Sequence, residues 1–124
     1  MRDKLIELRP EILSIVISDA NTNEAFQNDT LRPILKYQND LIVSNFKYHM
    51  AKYSVSFTGL SDIRKHQLVE NLIRKDRKFN ELLVGLVIGL FTLDEYEQFI
   101  KSEKEYRKRI NNMLIQRIQS QVCD

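Results

Sequence analysis

The longest apolar run is Leu82 to Phe91, LLVGLVIGLF, ten residues without a polar side chain. A surface helix carries apolar residues along one stripe, so a segment apolar on every side predicts a buried helix at the centre of the fold. Ten residues is about half of the roughly 20 a membrane-spanning helix needs, and the run therefore reads as protein core. Gly85 and Gly89 stand one turn apart and leave a flat track on which a second helix backbone can settle, predicting close helix packing inside a bundle.

Helical periodicity marks the elements around this run. Thr30 resembles an N-cap with Pro33 in the first turn, where the missing N–H is no loss. From there Leu31, Ile34, Leu35, Leu41, Ile42, Phe46, Met50 and Tyr53 recur at steps of three and four, predicting a helix over 30–53. Gln38, Asn45 and His49 lie along the same face. If buried, that polar line needs hydrogen-bond partners, and it suits an interface or a core network. Residues 54–60, with Thr58-Gly59, form a loop. Ser61 caps the next helix, 61–75, which buries Ile63, Val69, Leu72 and Ile73. Asp76 caps a third, 76–91, although one bent helix over 61–91 is also compatible with the pattern. Thr92-Leu93-Asp94-Glu95 is a capping box, in which threonine accepts from the third helical N–H and glutamate reaches back. It opens a last helix over 93–119, carrying Leu93, Tyr96, Phe99, Ile100, Tyr106, Ile110, Met113, Leu114 and Ile118.

The first 22 residues follow no single period. Arg9-Pro10 closes any helix begun at Asp3, and ILSIVI at 12–17 is rich in β-branched residues without a second strand-like run to pair with. An arm laid across the bundle or across a partner is the expected form. The fold expected is thus all-α: a single-domain bundle of about four main helices with an N-terminal arm, helical from about 23 to 120.

Composition sharpens this picture in three ways. Three glycines and two prolines in 124 residues leave little material for hairpins or long loops. The one cysteine, Cys123, permits no internal disulfide, as expected of a reducing compartment. No signal peptide or membrane span is legible, and a cytoplasmic protein is expected. The net charge of +2 is unevenly spread: residues 46–78 hold eight Lys/Arg against three acids, whereas 79–100 hold four acids and no base.

Candidate chemistry is sparse. The two histidines, His49 and His66, fall on different helices, and no HExxH or CxxC spacing accompanies them, so no metal site and no cofactor is expected. There is no nucleophile elbow and no glycine-rich phosphate loop, and no catalytic residue is assigned. Basic side chains gather at Arg64, Lys65, Arg74, Lys75, Arg77 and Lys78, around the junction of two helices, and again at Lys104, Arg107, Lys108 and Arg109. A two-helix junction with phosphate-binding charges is the geometry of a nucleic-acid module, but the helix after this junction is too apolar to enter a groove.

TLRPILKYQNDLIVSNF at 30–46 and KDRKFNELLVGLVIGLFTLDEYEQFI at 75–100 resemble a family of small uncharacterised bacterial proteins, some labelled "glyoxalase". The resemblance covers most of 24–118 and rests on structural motifs. Its label implies an enzyme, yet neither the strand-borne His and Glu ligands of glyoxalase I nor the THxHxDH motif of glyoxalase II is present, and no catalytic residue carries over. Three functions are therefore expected in descending order: a protein-interaction module acting as a homodimer, a nucleic-acid-binding module using the basic clusters, and an enzyme of the labelled kind. The homodimer follows from a surplus of apolar surface, with Gln38, Asn45 and His49 as candidates for fixing its register.

Overall fold

The computed structural model describes residues 22–123, whose regular elements are all helices, with no strand among them. The expected N-terminal arm lies outside the described residues. Seven α-helices follow one another: α1 (Thr22–Phe26), α2 (Arg32–Tyr37), α3 (Asn39–Lys52), α4 (Asp62–Lys75), α5 (Arg77–Ile88), α6 (Leu93–Lys101) and α7 (Glu103–Val122).

The first three helices run on from one another. A single π turn, Gln27–Leu31, joins α1 to α2, and the N–H of Arg32 donates to the carbonyl of Gln27 five residues back. Pro33 gives the physical reason. Inside a continuous helix a proline ring collides with the carbonyl four residues earlier, here that of Asp29, and supplies no N–H for it. Widening the turn relieves that collision. Thr30 is therefore not an N-cap: it sits within the wide turn, buried, and its hydroxyl donates to Glu95 Oε2 at 3.2 Å.

Helix α3 ends in a Schellman motif. Val55 N–H donates to Met50 O (2.8 Å) and Ser54 N–H to Ala51 O (3.2 Å), with Ser54 in the left-handed region at φ +55°. The loop that follows turns at Gly59, φ +80°. Three of the four capping residues read from the sequence act as expected. Ser61 Oγ accepts from Arg64 N–H (3.3 Å), Asp76 Oδ1 from Phe79 N–H (3.1 Å), and Thr92 and Glu95 form the reciprocal box. Asp76, at ψ +96°, separates α4 from α5, so 61–91 is two helices.

Two larger expectations also change. The long helix of 93–119 is broken at Ser102, whose φ of −143° is far from helical. Bending there brings Phe99 and Tyr106 into one buried aromatic group with Phe26 and Phe91, and ring centroids stand 4.5 Å apart for Phe26–Tyr106 and 5.6 Å for Phe91–Phe99. Packing of this kind outweighs the few tenths of a kcal/mol per residue that helix propensity offers. The central element is also not the apolar run. Helix α7 touches α3, α4, α5 and α6, and its Tyr106, Ile110, Leu114, Ile115 and Ile118 are buried among them. Helix α5 buries only Phe79, Leu83, Val84 and Val87 and leaves Leu82, Gly85 and Gly89 exposed.

Candidate interaction surface

Among the described residues, no group of three or more His, Cys, Asp or Glu is placed to hold a metal ion. Among the same residues, no helix is long and apolar enough to cross a membrane. What the fold presents instead is surface, and three sets of residues define it.

The first set is the polar line Gln38, Asn45 and His49, which does not form one network. Gln38 Nε2 donates to the carbonyl of Leu86 (3.0 Å). That carbonyl is one of the last four of α5, which a helix leaves without partners. Gly89, Leu90 and Phe91 N–H groups serve Gly85, Val87 and Ile88, and Gln38 supplies the missing donor, so the end of α5 is fully satisfied. At the other end, His49 Nε2 lies 3.1 Å from Asp76 Oδ2, on the N-cap of the same helix, while its ring stacks on Phe79 at 4.0 Å. Two side chains eleven positions apart thus clamp both ends of α5. Asn45 turns back to Leu41 O at 2.8 Å. Gln38 and His49 each make these contacts within the chain.

The second set is apolar and exposed. A Cβ built on Gly85 meets nothing within 4 Å, and one on Gly89 meets only the Gly85 carbonyl oxygen, at 3.1 Å. Among the described residues no helix uses the glycine track, contrary to the packing expected inside the bundle. Beside the glycines stands Leu82, 50% exposed. After the short turn, Leu93 (66%), Tyr96 and Ile100 (50%) repeat at three and four along α6. A core-facing helix hides such a stripe; α6 buries Phe99 on one side and shows these three on the other.

The third set is basic. At the junction Arg74 is held by Glu70 (3.0 Å) and Asn112 (2.8 Å), whereas Arg64, Lys65, Lys75, Arg77 and Lys78 have no ion pair among the described residues. Along α7, Arg107 joins Glu81 and Glu103, and Arg109 joins Glu105 and Gln27, so two of the four bases read there are consumed in holding α7 to its neighbours.

The sequence pattern missed two further polar contacts. Glu95 has one carboxylate oxygen on the Thr92 N–H and the other on Thr30, tying the π turn to the start of α6 across 65 residues. Asn39 exchanges hydrogen bonds with Gln121 and accepts from Arg117 Nη1 at 3.0 Å, joining the start of α3 to the end of α7. Neither contact has a local signature, since each partner is an ordinary surface type. Comparison of the chain with protein-family models, with curated proteins and with solved structures finds no match in any of the three.

Proposed function

We propose that the protein acts through protein contacts and pairs with a second copy of itself across the exposed face of α5 and α6. The observation that carries this reading is Gly85. Glycine in a helix interior costs about 1 kcal/mol relative to alanine. Gly85 is exposed, needs no unusual backbone angle, and has no neighbour that a methyl group would strike. Nothing within the described chain calls for its smallness, and the close approach of another backbone does.

The charges select the copy. Lys78, Leu82, Gly85 and Gly89 follow one another along the exposed side of α5, and Asp94 and Glu97 lie just beyond, on α6. A two-fold axis between Gly85 and Gly89 runs α5 antiparallel to its mate. It sets Leu82 of each copy toward the Leu93 end of the other, and the basic 74–78 corner toward the acids of α6. Such a patch is self-complementary, as a two-fold dimer requires. In this arrangement the free basic side chains are dimer contacts, in preference to a nucleic-acid surface. A cytoplasmic setting fits the single, disulfide-free cysteine.

Sedimentation equilibrium tests the reading. The wild type is expected at twice 14.7 kDa at micromolar concentration. Gly85→Ala is the informative variant: helix propensity raises the stability of each copy by about 1 kcal/mol, while the added methyl on the track weakens self-association. Leu82→Glu is expected to give a folded monomer. A wild type that sediments at 14.7 kDa whatever its concentration overturns the proposal.

A further inference from the structure

The π turn has a second effect, on the face of the molecule formed by α2 and α7. In an α-helix, residues five apart point about 140° away from one another. The wider turn closed by the bond from Arg32 to Gln27 narrows that angle, and both residues line a cleft of about 310 Å³ against α7. Across the cleft stand Gln116, Arg117, Ser120 and Gln121. The volume is at the lower end of small-molecule sites. Its wall is mostly polar and contains no carboxylate.

The two guanidinium groups decide its chemistry. Among the described residues neither Arg32 nor Arg117 forms an ion pair, unlike Arg74, Arg107 and Arg109. Arg117 is partly desolvated and feels the charge of Arg32, and both effects push its pKa below the usual arginine value. Each arginine has one hydrogen bond to an asparagine: Arg117 Nη1 to Asn39 Oδ1 at 3.0 Å and Arg32 Nη2 to Asn28 Oδ1 at 3.3 Å. Each is oriented by that contact and keeps its remaining N–H donors, from a set of five, for something else. Two like charges facing one polar cleft without a counter-charge repel each other until an anion enters.

We infer that this cleft is a binding site for a small phosphate monoester. A phosphate carries between one and a half and two negative charges at neutral pH with three acceptor oxygens, matching two guanidinium forks, whereas a carboxylate satisfies one. Gln27, Gln116 and Ser120 then face the organic part of the ligand. The wide turn, a less common form than the α-turn, supplies one wall of the site, and π turns are frequent at functional sites. This site is separate from the α5–α6 face and does not rest on the dimer.

Calorimetric titration with glycerol 3-phosphate tests the site, with inorganic phosphate and lactate as the competing probes. Glycerol 3-phosphate is expected to bind most tightly, inorganic phosphate more weakly, and lactate least. Arg117→Met and Arg32→Met are each expected to weaken binding at least about tenfold. Arg32 is exposed, so its variant folds even if loss of the Asn39 contact unsettles Arg117→Met. Lys104→Met, a charge outside the cleft, leaves binding unchanged. No heat with either phosphate, or equal losses in Lys104→Met and Arg32→Met, overturns the inference.

Discussion

Ser54 stands at φ +55°, the left-handed position of the motif that closes α3, and serine adopts that region at a cost that glycine escapes. Ser54→Gly is therefore expected to stabilise the fold by about 1 kcal/mol, read as a raised denaturation midpoint with unchanged slope. An unchanged or lowered midpoint counts against the strain argument. Single residues of this kind show what the sequence reveals and what it hides. Ser61, Asp76 and Thr92 were legible because a cap is a local device: the side chain and the N–H it serves lie three residues apart. Thr30 looked equally like a cap, and its β-hydroxyl goes instead to a carboxylate 65 residues away. Gly85 and Gly89 were legible as a track but not as to what lies on it. Spacing along one helix carries no information on which neighbour arrives.

At the scale of the element, α5 is held by groups that belong to other helices. Its first turn is capped by Asp76, itself bonded to His49, and its last carbonyls are completed by Gln38. Gln38→Met keeps the length of the side chain but leaves the Leu86 carbonyl without its donor. A loss of about 1 kcal/mol is expected, together with faster amide exchange at Gly89 and Leu90. Were neither to change, water would be completing the helix end and the clamp would be dispensable. The all-α class was clear from period and from the scarcity of glycine and proline. The break at Ser102 was not, because apolar spacing alone continues across it. A signal was nonetheless present: serine followed by Glu103 and Glu105 is the composition of a helix start, with acids at the positive end of the dipole. The reading of LLVGLVIGLF as the central helix failed for a related reason. Apolar residues on every side imply cover, and the cover proposed here for Leu82, Gly85 and Gly89 is a second copy.

Across the whole molecule, charge and apolar surface are distributed with some economy. Among the described residues, Arg107 and Arg109 on α7 are paired with glutamates, whereas Arg32 and Arg117, on the cleft, are not; the bases around Asp76 stay exposed near an apolar face that ends in acids. The same whole-molecule view gives a consequence for biosynthesis. Helix α7 is the shared partner of α3, α4, α5 and α6, and it is the last of the seven helices to be made. On a translating ribosome, α3 to α6 emerge with the part of their buried surface that faces α7 still bare, and that packing waits until α7 clears the exit tunnel. At about 5–20 residues per second, the interval from α3 to the end of α7 lasts several seconds. Nascent chains stalled before residue 103 are accordingly expected to be digested readily by protease, and chains stalled with α7 fully emerged to resist. Closure of the core around α7 is then a late event in the synthesis of the chain.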